Sequence, residues 1–268
     1  MLKDITLGQY FPGDTPIHRL DPRTKLLLTV LYIACLFTAA TPGGYVAAFA
    51  ALALEMLLSR IGPRAVLRGL KPLVFIIIFT AVLNLFFSDG EHVLFARGRL
   101  CVTLEGLRNA VFMVLRVMFL VASTFLLTYT TSPLAITDGL ERLFSPLKRL
   151  RVPVYELSLM MSIALRFIPT LIEDTDRILS AQKARGANFE TGRLTERARA
   201  LLPVLIPLFV SSFRRSEELA DAMECRCYNG GEGRTRMKQL RFSPADFAAL
   251  GGGALLLAVT ILLRRIGL

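Results

Sequence analysis

The chain of 268 residues has no tryptophan, two histidines and four cysteines, and only 20% of its residues are charged. Each scarcity removes a class of function. His18 precedes the first apolar run and His92 lies in a polar loop, so no histidine-based metal site or acid/base pair can be assembled. Cys35, Cys101, Cys225 and Cys227 lack metal-site spacing, and only the last two lie close together, as Cys-x-Cys; they read as free thiols. HExxH and GxSxG are missing, which argues against a zinc hydrolase or a serine hydrolase. GxxxxGK[ST] is missing too, so any ATP must be handled by a partner.

Apolar residues are abundant. They make up 53% of the chain at a mean hydropathy of +0.53, the composition of a multi-spanning membrane protein rather than of a soluble domain with one core. The net charge of +11 fits basic cytoplasmic loops better than nucleic-acid binding, which concentrates charge on a soluble domain.

Five spans are expected: Leu26–Ala40, Tyr45–Leu58 with a borderline Glu55, Pro72–Phe87, Asn109–Thr131 and Phe247–Leu263. The first is short unless Lys25 snorkels. It reads as a retained anchor rather than a signal peptide, because a polar lead with Arg19, Asp21, Pro22 and Arg23 precedes it. Arg60, Arg64, Arg68 and Lys71 place the second loop inside, whereas Asp89, Glu91, Arg97 and Arg99 balance in the third, so the N-terminus is expected in the cytoplasm. Five crossings then put Arg264 and Arg265 outside, against the positive-inside tendency. Asn84 and Arg116, within spans, read as interhelical hydrogen-bonding or snorkelling groups in preference to a polar transport pathway.

Between Ser132 and Phe242 the character changes, with 18 of the 32 basic and 13 of the 21 acidic residues among apolar residues at helical spacing. Three units are expected: a membrane domain over 1–131, a cytoplasmic domain of long amphipathic helices over 132–242, and a last transmembrane helix over 243–268. Pro133, Pro146 and Pro153 punctuate the start of the middle unit and Gly230, Gly231 and Gly233 its end.

The middle unit carries a weak repeat. An offset of 41 residues brings Ile168 onto Phe209, Ile172 onto Phe213, Thr175 onto Ser216, Leu179 onto Ala220, Ala181 onto Ala222 and Arg185 onto Arg226. Each arm is an apolar helical stripe ending in one arginine between small residues: Ala184-Arg185-Gly186 and Cys225-Arg226-Cys227. Neither arginine has a carboxylate three or four residues back on its own helix, which leaves it available to a partner protein. A lone arginine of this kind would merely complement a helix dipole; two at matching positions point to docking. Pro169, Pro203 and Pro207 are places where the arms can bend, or else they mark helix starts or are simply tolerated near lipid.

The start of the chain, Gly8-Gln9-Tyr10-Phe11-Pro12-Gly13 followed by His18-Arg19-Leu20-Asp21-Pro22-Arg23-Thr24-Lys25, together with the two tips, resembles the transmembrane T subunit of energy-coupling-factor transporters over essentially the whole chain. That resemblance implies an all-α polytopic protein of the cell membrane. It also implies a non-catalytic scaffold, with no cofactor of its own, joining two cytosolic ABC-type ATPases to a small membrane substrate-binding (S) subunit for uptake of vitamins or metal ions. By the same resemblance, Ala184, Arg185, Gly186, Cys225, Arg226 and Cys227 dock in the ATPases, the second tip departing from the usual pattern in its cysteines. Ile168, Ile172, Leu179, Phe209, Phe213 and Met223 are expected on the faces that meet the S subunit. A dedicated cobalt or nickel system and a stand-alone secondary transporter are the alternatives; against the latter, the spans hold few ionisable residues and show no inverted repeat.

Overall fold

A computed structural model describes residues 10–87, 93–97, 100–150, 152–187, 189, 194–230 and 239–266. Gly8, Gln9, Asp89, Glu91, His92, Arg99, Gly231 and Gly233, named above, lie outside the described residues.

The structure is helical: α1 (Pro22–Thr38), α2 (Pro42–Ser59), α3 (Pro63–Leu70), α4 (Val74–Phe87), α5 (Leu104–Thr130), α6 (Pro133–Leu143), α7 (Val154–Ala184), α8 (Leu194–Glu224) and α9 (Pro244–Ile266). Short 3₁₀ turns at Lys71–Leu73 and Ser145–Leu150 lead out of α3 and α6. Between α4 and α5, where the sequence predicts only a loop, runs a small antiparallel hairpin of β1 (Val93–Arg97) and β2 (Leu100–Thr103), pairing Ala96 with Cys101 and Arg97 with Leu100.

Helix starts follow one local rule. Pro22, Pro42, Pro63, Pro133 and Pro244 open their helices, where the missing N–H costs nothing and the fixed φ favours the first turn. The residue before often caps: the Asp21 carboxylate accepts from Arg23 N at 2.9 Å, and Thr103 Oγ1 from Gly106 N at 3.0 Å at the head of α5.

Two compact units result. The described residues of Gly8–Leu140 and Leu240–Leu268 form one, and those of Glu141–Gln239 the other. In the first, α1, α2, α3, α4 and α5 close on a core of Tyr32, Leu36, Ala48, Leu52, Leu70, Phe119 and Leu126. Tyr32 donates its hydroxyl to Ala48 O at 3.1 Å, and Tyr45 stacks on Phe112. Large apolar residues such as Phe75, Ile78, Val46 and Leu255 stay on the outer face, as lipid contact requires.

Among the described residues, five helical stretches are long and apolar enough to cross a membrane: Pro42–Ser59, Pro63–Leu85, Leu104–Thr130, Val154–Ala184 and Pro244–Ile266. The number matches expectation, but the membership differs. α1, at 17 residues, spans about 26 Å and is short by length alone, whereas α7 qualifies because its first half is mostly apolar, with Glu156 and Arg166 as its charges; Glu173, Asp174, Asp176, Arg177 and Lys183 crowd into its second half.

Arg116 takes the interhelical role expected of it, whereas the bond made by Asn84 stays within its own helix. Arg116 donates to Ala39 O at 3.3 Å, and Arg108 to Ala40 O at 3.4 Å, so both neutralise the carbonyl end of α1; Asn84 bonds back to Thr80 O in its own helix.

The block around Lys25 is a polar knot at one end of the bundle. The Lys25 ammonium is buried and donates to His18 O at 3.2 Å and Thr130 O at 2.9 Å, joining the start of α1 to the end of α5. The Asp246 carboxylate, 1% exposed, accepts from Asp21 N at 2.9 Å and from Ser243 N and Oγ at 2.7 and 2.8 Å, joining the start of α9 to the same place. The Arg23 guanidinium pairs with Asp21 at 2.9 Å and lies over the Phe242 ring. His18 Nε2 donates to Phe11 O at 3.0 Å, since a carbonyl only accepts, and Nδ1 lies 2.6 Å from the Thr15 hydroxyl. The start of α1, the end of α5 and the start of α9 therefore lie together.

Candidate functional site

The two arginine tips are built alike, and helix-capping chemistry explains how. At the end of α7, Arg185 is the last half-helical residue (φ −83°, ψ 5°) and Gly186 turns left-handed at φ +87°. Gly186 N then donates to Lys183 O at 3.0 Å and Ala187 N to Gln182 O at 3.0 Å, the paired bonds of a Schellman cap. At the end of α8, Cys227 takes the left-handed position at φ +58°, with Cys227 N donating to Glu224 O at 2.8 Å and Tyr228 N to Met223 O at 3.0 Å. Arg226 thus holds the same station in the second cap that Arg185 holds in the first.

This geometry exposes the tips. Reversal of the chain after the last helical turn leaves the arginine at the apex, flanked by Ala184 and Gly186 in one arm and Cys225 and Cys227 in the other, and all six residues are exposed. Neither guanidinium has a hydrogen-bond or ion-pair partner among the described residues. Cys225 and Cys227 are free, as is the buried Cys35; the side chain of Cys101 lies outside the described residues. Such a tip presents planar donors on a narrow neck and can take carboxylates or backbone carbonyls in a groove that admits small residues.

The arms that carry the tips pack against each other. Arg215 donates to the Asp174 carboxylate at 2.8 Å and lies over the Phe167 ring, while Gln182 Nε2 reaches Pro203 O at 3.5 Å. Moving toward the C-terminus of α7 means moving toward the N-terminus of α8, so the helices run antiparallel and the tips point opposite ways. Pro169, Pro203 and Pro207 all sit inside helices rather than at their starts. Pro207 cannot donate to Pro203 O, and that freed carbonyl is the one Gln182 approaches.

The predicted contact faces separate into two kinds. Phe209 and Phe213 of α8 are 63% and 67% exposed and continue a stripe with Leu202, Leu205 and Ile206. Ile168, Ile172 and Leu179 of α7, and Met223 of α8, are half-buried. The sequence pattern marked all six as apolar but could not tell which remain uncovered.

Elsewhere, a cavity of about 630 Å³ opens among α1, α2, α5 and α9, walled by alanine, glycine and leucine with Lys25, Tyr32 and Glu55. Lys25 is already engaged there by two carbonyls. Sequence reading missed Thr130, Ser243 and Asp246 as partners of the N-terminal block; the Ser243-Pro244-x-Asp246 helix start was the available signal.

The sequence model of the cobalt transport protein family CbiQ matches residues 13–237. A protein named energy-coupling factor transporter transmembrane protein EcfT from Thermosediminibacter oceani is 51% identical over 265 residues, covering 99% of this chain and all of the relative. Proteins of the same name from Ruminiclostridium cellulolyticum and Lactococcus lactis subsp. cremoris are 47% and 44% identical, over 99% and 91% of this chain and 99% and 92% of their own lengths.

Proposed function

This chain belongs to the CbiQ family and, within it, to the energy-coupling factor transporter transmembrane proteins EcfT, and we propose that it is the mechanical link of such a transporter, docking two ABC-type ATPases on its arginine tips. It is a multi-pass membrane protein and a transporter subunit. The finer reading is that nucleotide-driven movement of the ATPases displaces the α7 and α8 tips, and that the arms pass this motion to a membrane substrate-binding subunit seated on their apolar faces. Chemistry and substrate choice then reside in the partners.

The observation that carries this reading is the duplicated cap. Two exposed guanidinium groups, with no partner among the described residues and at equivalent stations of two Schellman caps, suit two similar grooves, one on each ATPase.

Placement of α7 and α8 in the cytoplasm is supported by the knot at Lys25. Because the start of α1 and the end of α5 meet there, an even number of crossings separates them, which requires α1 to cross together with α2, α3–α4 and α5. Because α9 starts at the same place, the chain between α5 and α9 also leaves and returns on one side, so α7 does not cross alone.

The test uses the complete complex in membranes. Arg185→Ala and Arg226→Ala are each expected to weaken ATPase association by about thirtyfold, the size of an interface hot spot, with unchanged insertion of the chain. The double variant should lose the ATPases. A double variant that retains both ATPases and transports like wild type overturns the docking role.

A further inference from the structure

The ion pair between α7 and α8 joins residues that are equivalent in the repeat. Asp174 and Arg215 stand 41 residues apart, the same offset that maps Arg185 onto Arg226. Arg185 accordingly lies eleven residues beyond Asp174, and Arg226 eleven beyond Arg215. In antiparallel helices this makes the contact a local two-fold centre, with one arginine tip about 16 Å out along each arm.

We propose that the Asp174–Arg215 pair is the fixed crossing point about which the two arms turn, and that it positions both tips at equal lever lengths. The proposal rests on the docking reading above. Interdigitated apolar side chains hold one crossing angle, because ridges seat in grooves. The ion pair, one guanidinium nitrogen on one carboxylate oxygen at 2.8 Å, fixes one point of the contact, and the longer Gln182 Nε2 to Pro203 O bond at 3.5 Å is the one a change of angle would break. Its side chains are 27% and 19% exposed, so the pair adds little to stability and its value lies in register. A turn of about 20° around this point carries each tip through about 6 Å at that lever length. Unequal levers would move one ATPase contact further than the other.

The complex with its ATPases and substrate-binding subunit is reconstituted with Asp174→Arg, Arg215→Asp and the charge-swapped double variant, and substrate taken up per ATP hydrolysed is measured. Each single reversal is expected to lower that ratio about tenfold, the scale of a coupling free energy, while both ATPases still copurify; the swap should restore it. Asp174→Asn and Arg215→Lys give the same reading should a reversal fail to insert, with the ratio falling for each. In the wild-type complex, spin labels on noncanonical residues at Glu173 and Arg214, beside the pair, should keep their distance between nucleotide-free and trapped states. Labels at Ser180 and Asp221, further out on each arm, should change theirs. A swap that leaves the ratio low while the ATPases remain bound overturns the pivot, as do label distances that change equally at both places. Retention of the ATPases by the Arg185/Arg226 double variant overturns the docking reading instead, so the two failures are distinct.

Discussion

Exchanging the cap residues of the two arms tests whether cap geometry presents the arginines. Gly186 sits at φ +87°, and a Cβ built there meets nothing within 4 Å, so Gly186→Ala introduces no clash and is disfavoured through its backbone conformation alone. For an L-residue the left-handed conformation costs about 1–2 kcal/mol, which opens the cap about 5- to 30-fold more often. Cys227, at φ +58°, already bears such a cost, and Cys227→Gly should recover about 1 kcal/mol, or about fivefold in cap closure. Hydrogen exchange on the protein in nanodiscs reads this directly. Amides 186 and 187, which donate the first cap bonds, should lose protection in Gly186→Ala, and amides 227 and 228 should gain it in Cys227→Gly. ATPase association should shift in the same directions but less, because only tips that are already formed can dock and the closed fraction saturates. Unchanged exchange at residue 187 in Gly186→Ala, with the chain inserted normally, refutes the idea that the left-handed glycine holds Arg185 in place.

Three further outcomes follow from the packing. Asp246→Ala removes the acceptor of the Asp21 and Ser243 N–H groups at a buried site, so it should cost about 2–5 kcal/mol as a lowered melting temperature in detergent, with Asp246→Asn in between; equal melting of all three proteins contradicts the knot. Phe213→Ala should release more of the substrate-binding subunit in pull-downs than Ile172→Ala, since Phe213 is 67% exposed and Ile172 half-buried, and the reverse order would move the contact face to α7. A membrane-impermeant thiol reagent should reach a cysteine introduced at Ile266 from outside intact cells and should reach Cys225 and Cys227 only after permeabilisation; labelling of all three from one side rejects the five-crossing path.

Hydropathy made the spans legible because lipid-facing helices must be apolar around most of their circumference, and α2, α4, α5 and α9 overlap the runs read from the sequence. The arms were legible as stripes, and the tips as arginines between small residues. What the sequence concealed lies in long-range contacts. The role of His18-to-Lys25 as a knot depends on Thr130 and Asp246, which are 105 and 225 residues away from the groups they bind. The equivalence of Asp174 and Arg215 escaped the repeat because the two residues are opposite in charge: an alignment scored on similarity discards the very pair that complementarity brings together. The hairpin of β1 and β2 had a local signal, Gly98-Arg99 between two short β-rich runs, but those runs are too short beside a polar flank for an alternating pattern to stand out.

Composition alone would let α7 cross the bilayer, and the knot turns that into a question of magnitude. With the end of α5 and the start of α9 on one side, α7 can cross only if α8 crosses back. The charge-free run of α8, Ala200 to Phe213, is 14 residues and reaches about 21 Å, against a hydrocarbon core of about 30 Å. Closing that gap would draw in Arg199 at one end or Arg214, Arg215 and Glu217 at the other, with a charge at mid-bilayer costing about 2.5–3.5 kcal/mol and less toward the interface. α1 faces the same shortage of length but meets it differently, since Lys25, the charge next to its apolar run, is held by two carbonyls at the bundle end and Arg23 is paired with Asp21. No comparable acceptors among the described residues bind Arg214, and Arg215 spends its pairing on Asp174. Lipid alone is therefore a costly cover for the apolar face of α8, and under the proposed function the exposed faces of both arms would be met by a protein partner.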